Sequence, residues 1–243
     1  MKAIFLSDAH LVHASSPAYA RIDSFIRSLT DEGQEKIDRL YILGDFFDFW
    51  FAKGNKIYGE YKRIIDSLVA LRKSGVAIYF AEGNHEFFSR EYLSPLGIET
   101  TEEHFDFVSD GLRFFVAHGD DFCGSSRIAS LLKLFLKSEV THTIKTVLPS
   151  QFTWRLSQMM TSASRRYTDI SGKELARRMR YYAQAKLDYG YDVVIFGHSH
   201  FPLLSDKVIA GKRKVFVTLG DWLNGNGSYL WYNSGVFELK SFA

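Results

Sequence analysis

Five short apolar runs along the chain each stop at a polar cluster. Ile4-Phe5-Leu6 leads into Ser7-Asp8-Ala9-His10, and Leu40-Tyr41-Ile42-Leu43 into Gly44-Asp45-Phe46-Phe47-Asp48. The same layout recurs where Val76 to Phe80 precedes Gly83-Asn84-His85-Glu86, where Phe114-Phe115-Val116 precedes His118-Gly119-Asp120, and where Val193 to Phe196 precedes Gly197-His198-Ser199-His200. Short runs rich in β-branched and aromatic residues predict buried strands. Between the first three strands the spacing turns helical: Ile22, Phe25, Ile26 and Leu29 within 19–29, then Ile64, Ile65, Leu68, Val69 and Leu71 within 61–71, closed by Ser74-Gly75. The order β-α-β-α-β predicts right-handed crossovers and parallel strands. It also puts the C-terminal strand ends on one edge, where open α/β sheets bind ligands.

Residues 125–190 break that rhythm. Ile128, Leu131, Leu132, Leu134, Phe135 and Leu136 predict a helix apolar around much of its circumference, and further helical stretches come at 152–156 and 173–187. This segment reads as a helical insertion or cap, or else as a plain helical layer with a solvated charged face. Strands return at 193–196, 214–219, 228–232 and 235–240, with a Gly/Asn-rich turn at 224–227. A parallel core with an antiparallel closing set predicts two packed sheets in one domain over 1–243, interrupted by the 125–190 insertion.

With 243 residues, 46% of them hydrophobic, the chain can bury a substantial core. Cys123 is the sole cysteine, which excludes an intramolecular disulfide and fits a reducing compartment. The apolar run after Met1 soon reaches Asp8 and makes a poor signal peptide, and no run of about 18 apolar residues predicts a spanning helix. The expected location is cytoplasmic. A formal net charge of +2 hides an asymmetry: residues 125–190 hold twelve Lys or Arg against four Asp or Glu, so basic character is confined to one segment.

The polar clusters carry metal-ligand chemistry. Asp8 and His10 are two residues apart, as are His198 and His200, and in an extended segment such pairs project to the same side. Carboxylate, imidazole and amide donors suit Mn, Fe or Zn, while the lack of a cysteine cluster argues against a structural zinc site. A carboxylate-bridged pair of ions is the clamp used for phosphoryl displacement, and Asp45 is the natural bridge.

The five blocks resemble the calcineurin-like metallophosphoesterase superfamily, whose pattern is D-x-H, G-D-x-x-D, G-N-H-[DE], an H followed by G, and G-H-x-H; all are present in order between residues 8 and 200. The resemblance implies a four-layer α-β-β-α sandwich of two mixed sheets with a helical cap, and two divalent ions, Mn favoured over Fe or Zn. One ion would be held by Asp8, His10, Asp45 and His200, the second by Asp45, Asn84, His118 and His198. His85 would protonate the leaving oxygen or stabilise the phosphoryl charge, with Glu86 orienting it and Asp48 in a supporting position. His13, His104 and His142 match no block and read as surface or structural residues.

Within that superfamily the chain is similar to bacterial UDP-2,3-diacylglucosamine hydrolases in length, in Phe5 to Leu11, in Gly44 to Asp48, in the insertion before His198 and in Leu219-Gly220-Asp221-Trp222. That likeness implies attack of a metal-activated hydroxide on a UDP-sugar pyrophosphate at the cytoplasmic face of the inner membrane, without nucleic acid as partner. One departure is His85, where many members of that hydrolase family carry Arg. Leu131, Leu134, Phe135, Phe152 and Trp154 offer grease for acyl chains, and Arg165, Arg166 and Lys173 offer charge for a pyrophosphate. Two other readings compete: a soluble phosphodiesterase or nuclease whose basic segment binds a phosphate backbone, and a non-catalytic scaffold such as a retromer subunit.

Overall fold

The protein is described from a computed structural model, over residues 1–243 except 32, 34, 52–56, 123–170, 224 and 226. Its first half alternates as the apolar pattern predicts: β1 (Lys2–Leu6), α1 (Pro17–Ser28), β2 (Arg39–Leu43), β3 (Trp50–Phe51), α2 (Lys62–Lys73), β4 (Ala77–Ala81), β5 (Glu86–Phe87), α3 (Arg90–Leu93) and β6 (Glu99–Thr101). Then come β7 (His104–Ser109), β8 (Leu112–Ala117), α4 (Gly172–Asp188), β9 (Val193–Phe196), β10 (Leu203–Ile209), β11 (Lys212–Thr218), β12 (Gly227–Asn233) and β13 (Val236–Phe242).

Two mixed sheets result. The first runs β13-β12-β1-β2-β4-β6, parallel from β1 to β6 and antiparallel at the β12 and β13 end. The second runs β10-β11-β9-β8-β7, with β11, β9 and β8 parallel and an antiparallel hairpin strand at each edge.

The strand period of two sorts side chains into three cores. Ile4, Leu6, Leu40 and Ile42 face α1 and α2, whereas Ala3, Phe5, Tyr41 and Leu43 face the second sheet. From that sheet Phe114, Val116, Val193 and Ile195 point back, while Phe115, Ala117, Val194 and Phe196 pack against Leu175, Met179, Ala183 and Leu187 of α4. The order of layers is therefore helix, sheet, sheet, helix. At about 1.5–3 kcal/mol for each fully buried large apolar side chain, a one-residue slip of any central strand would move whole sets of contacts to the wrong face.

The helices follow local rules. Ser16 caps α1 by accepting from the Tyr19 N–H at 3.3 Å, with Pro17 in the first turn where no N–H is needed. Buried Asp23 joins α1 to α2, its Oδ1 accepting from Ser67 Oγ at 2.6 Å and its Oδ2 from Arg63 and Arg27. Ser171 caps α4, and the helix turns Arg177 and Arg178 outward onto half-buried Glu174.

Residues 172–188, the end of the stretch read as an insertion, thus form the outer layer over the second sheet, with the basic residues on the solvated face. The helices expected at 128–136 and 152–156, with Leu131, Leu134, Phe135, Phe152, Trp154, Arg165 and Arg166, lie outside the described residues. The sequence pattern missed β10, because an edge strand whose residues from Asp206 to Ile209 are exposed carries little apolar signal.

Candidate metal centre

All five motif-bearing strands, β1, β2, β4, β8 and β9, release their polar clusters at the same edge of the sandwich. Parallel pairing aligns β1, β2 and β4 in one sheet and β8 with β9 in the other, and hydrogen bonds join the two sets across the gap. His118 Nδ1 meets the Leu43 carbonyl at 2.8 Å, and Asp8 Oδ2 accepts from the His198 N–H at 2.9 Å.

Asp8, His10, Asp45, His198 and His200 all adopt left-handed backbone, with φ of 55°, 43°, 49°, 61° and 54°. The extended geometry expected to aim Asp8 with His10 and His198 with His200 is therefore absent; tight turns do the aiming. Such conformations cost on the order of 1–3 kcal/mol each and persist where their surroundings fix them. Here the fixing bonds are Asp8 N–H to Gly44 O at 3.1 Å, His10 N–H to Asp45 O at 2.9 Å and Leu11 N–H to Phe46 O at 3.0 Å. Gly83 is required by close approach, since a Cβ there would fall 2.3 Å from Asp45 Oδ1.

Among the described residues the donors fall into two main clusters, and His10 also forms a third group with Asp48 and His85. In the first, His200 Nε2 lies 3.4 Å from Asp8 Oδ1 and 3.3 Å from His10 Nε2, which is itself 4.0 Å from Asp8 Oδ1. In the second, His118 Nε2 lies 3.4 Å from Asp45 Oδ2, 3.3 Å from Asn84 Oδ1 and 3.1 Å from His198 Nδ1. Asp45 Oδ2 is also 3.9 Å from His10 Nε2, so one carboxylate touches both clusters. His198 and His200, two residues apart, thus serve different clusters.

His85 stands beside this pair with Nε2 3.8 Å from Asp45 Oδ2. Its other ring nitrogen contacts the Asp48 carbonyl oxygen at 2.5 Å, while Asp48 Oδ1 lies 4.0 Å from His10 Nδ1. Glu86, expected to orient His85, instead accepts the backbone N–H of Asp45 and Gly83 at 2.8 Å and of Phe47 at 3.0 Å. Lys173 lies exposed at the start of α4.

The donor set fits divalent ions. Asp8 is fully buried; its Oδ2 is taken by Ser7 Oγ and the His198 N–H, but among the described residues its Oδ1 accepts no hydrogen bond and points among imidazole nitrogens. Electrostatics agree. Burial opposes charge on His200, yet Asp8 and Asp221 pull its pKa up to about 9; burial likewise opposes His118, yet Asp45 and Asp8 hold it well above the usual histidine range. His198 is driven down to about 4 by burial and by the His118 charge. The carboxylates thus demand positive charge at nitrogens that a bound dication would satisfy in place of protons.

Two contacts at the site lie outside the five motif blocks' ligand positions. Ser7 Oγ donates to Asp8, and Asp221 Oδ2 meets His200 Nδ1 at 3.1 Å. The signal for Asp221 was present: Val215-Phe216-Val217 followed by Gly220-Asp221 repeats the pattern of an apolar run ending at a Gly-Asp turn.

A family model described as calcineurin-like phosphoesterase matches residues 1–202. The chain belongs to the calcineurin-like phosphoesterase family. It is a metal-dependent phosphoester hydrolase of that family, with a sandwich of two mixed sheets. Similar curated proteins include a UDP-2,3-diacylglucosamine hydrolase of Coxiella burnetii, 25% identical over 248 residues, covering 98% of this chain and 97% of that one. Another of the same name from Blochmanniella pennsylvanica is 28% identical, covering 96% and 92%. Among solved structures, TT1561 of Thermus thermophilus aligns over 99% of this chain and 98% of its own at 11% identity, with a TM-score of 0.46.

Proposed function

We propose that the protein hydrolyses the pyrophosphate of UDP-2,3-diacylglucosamine, releasing UMP and 2,3-diacylglucosamine 1-phosphate. The observation that carries this reading is length-wide similarity: relatives bearing that substrate's name align over nearly all of this chain, including the stretch beyond residue 202. The sequence of residues 125–190 adds apolar and basic side chains suited to an acylated, phosphorylated substrate, with Arg165, Arg166 and Lys173 as candidate contacts.

Asp8, His10, Asp45 and His200 would hold one divalent ion, and Asp45, Asn84, His118 and His198 the second, with Mn favoured. Bound there, the ions supply charge neutralisation at the phosphoryl group and activation of water near neutral pH. The protein's own groups do the rest. Asp45 keeps both clusters in one register, and Glu86 holds the Asp45 loop through three backbone N–H groups. With Nδ1–H donating to the Asp48 carbonyl, His85 would act as the imidazolium, whose second hydrogen, on Nε2 beside Asp45, would go to the leaving oxygen.

No helix among the described residues is long and apolar enough to cross a membrane. On the proposed reading, access to the acylated substrate is by peripheral contact with the cytoplasmic face of the inner membrane. The test is to incubate pure protein and Mn with UDP-2,3-diacylglucosamine, and separately with oligonucleotides and a chromogenic diester. Release of UMP from the lipid substrate far above turnover of the other two supports the proposal, and cleavage of the water-soluble substrates alone rejects it.

A further inference from the structure

Beyond the span matched by the family model, one turn reaches back into the metal cluster. Between β11 and β12 the chain passes through Leu219-Gly220-Asp221-Trp222. Asp221 Oδ2 contacts His200 Nδ1 at 3.1 Å, its Oδ1 accepts from the Leu223 N–H at 3.1 Å, and its carbonyl accepts from the Ser228 N–H at 3.1 Å. The next residue touches the same cluster, for the Trp222 N–H donates to the Asp8 carbonyl at 3.3 Å.

The turn is itself pinned. Trp222 is fully buried, its carbonyl accepts from Arg21 Nη1 of α1 at 2.8 Å, and a Cβ on Gly227 would fall 2.1 Å from its ring. The two candidate metal ligands that the turn touches, Asp8 and His200, belong to the cluster containing His10. In the other cluster, His118 is oriented by the Leu43 carbonyl.

We propose that Asp221 is a positioning residue that fixes the tautomer and ring direction of His200, and so acts selectively on the Asp8–His10–His200 ion site. This rests on the two-ion reading of the proposed function. A carboxylate accepts only, so the Nδ1 facing it carries the hydrogen and Nε2, 3.4 Å from Asp8 Oδ1, keeps its lone pair for a cation. Asp221→Asn keeps an oxygen for Leu223 but presents an N–H to Nδ1. The ring must then move its hydrogen to Nε2, the ligating nitrogen.

The test titrates metal-free wild-type, Asp221→Asn and Asp221→Ser proteins with Mn²⁺ by calorimetry, alongside thermal unfolding of each without metal. Wild type should show two binding events. In both variants one event should weaken about 10- to 100-fold while the other is unchanged, with the metal-free melting temperature of Asp221→Asn held. Equal weakening of both events together with a lower metal-free melting temperature assigns a merely structural role and overturns the proposal, as does no weakening at all. A wild-type protein that binds no Mn²⁺ instead overturns the two-ion reading beneath it.

Discussion

Glu86 Oε2 accepts the backbone N–H of Asp45 at 2.8 Å, holding a residue whose φ is 49° and whose carboxylate touches both ligand clusters. Glu86 is fully buried and also serves Gly83 and Phe47. Glu86→Ala would strand three buried donors at about 1–3 kcal/mol each, so a loss of at least about 3 kcal/mol is expected. Urea unfolding of the metal-free protein reads it, and a loss below about 1 kcal/mol would remove Glu86 from this role.

His85 can be separated from the ligands. Its Nε2 lies 3.8 Å from Asp45 Oδ2 and its ring meets that of His10 edge-on, but its Nδ1 is taken by the Asp48 carbonyl. In His85→Ala, bound Mn measured by elemental analysis should stay at the wild-type level while kcat falls about 10²- to 10⁴-fold, the usual range for a lost acid–base group. Loss of metal in parallel with kcat would make His85 a ligand instead.

Asp23 sets an acid limit on stability. Burial alone would raise its pKa, but hydrogen bonds from Ser67, Arg63 and Arg27 outweigh this and hold it below the ordinary aspartate value of 3.8. A carboxyl whose folded pKa lies below its unfolded one gives stability that is complete above the unfolded value and fades as pH falls towards the folded one. Asp23→Asn should therefore cost about 2 kcal/mol at pH 7, with the gap to wild type closing below about pH 4. Equal stability of the two proteins at neutral pH would show that the α1–α2 tie contributes nothing.

Much of the sandwich was legible because its strands announce themselves twice, as apolar runs and by the polar turn at the end of each. β1, β2, β4, β8 and β9 all ended where Asp8, Asp45, Asn84, His118 and His198 begin to turn. Exposed or unpatterned segments gave no such sign. β10 is mostly solvated, and β6 holds three residues. In β7, Phe105 and Phe107 alternate with polar neighbours, a strand pattern short of the apolar run that marks the central strands. At the site, residue types gave the gathering of ligands but not how it is done. Spacing suggested extended pairs, whereas left-handed turns split His198 from His200, and Asp221 is adjacent to His200 only because β11 runs beside β9.

On the proposed reading one carboxylate, that of Asp45, is shared by two ions. Anomalous diffraction from crystals grown with Mn²⁺ tests it most directly. Two peaks about 3.5–4 Å apart are expected, one within bonding distance of Asp8, His10 and His200, the other of Asn84, His118 and His198, and both of Asp45. A single peak, or two peaks of which only one contacts Asp45, would contradict it.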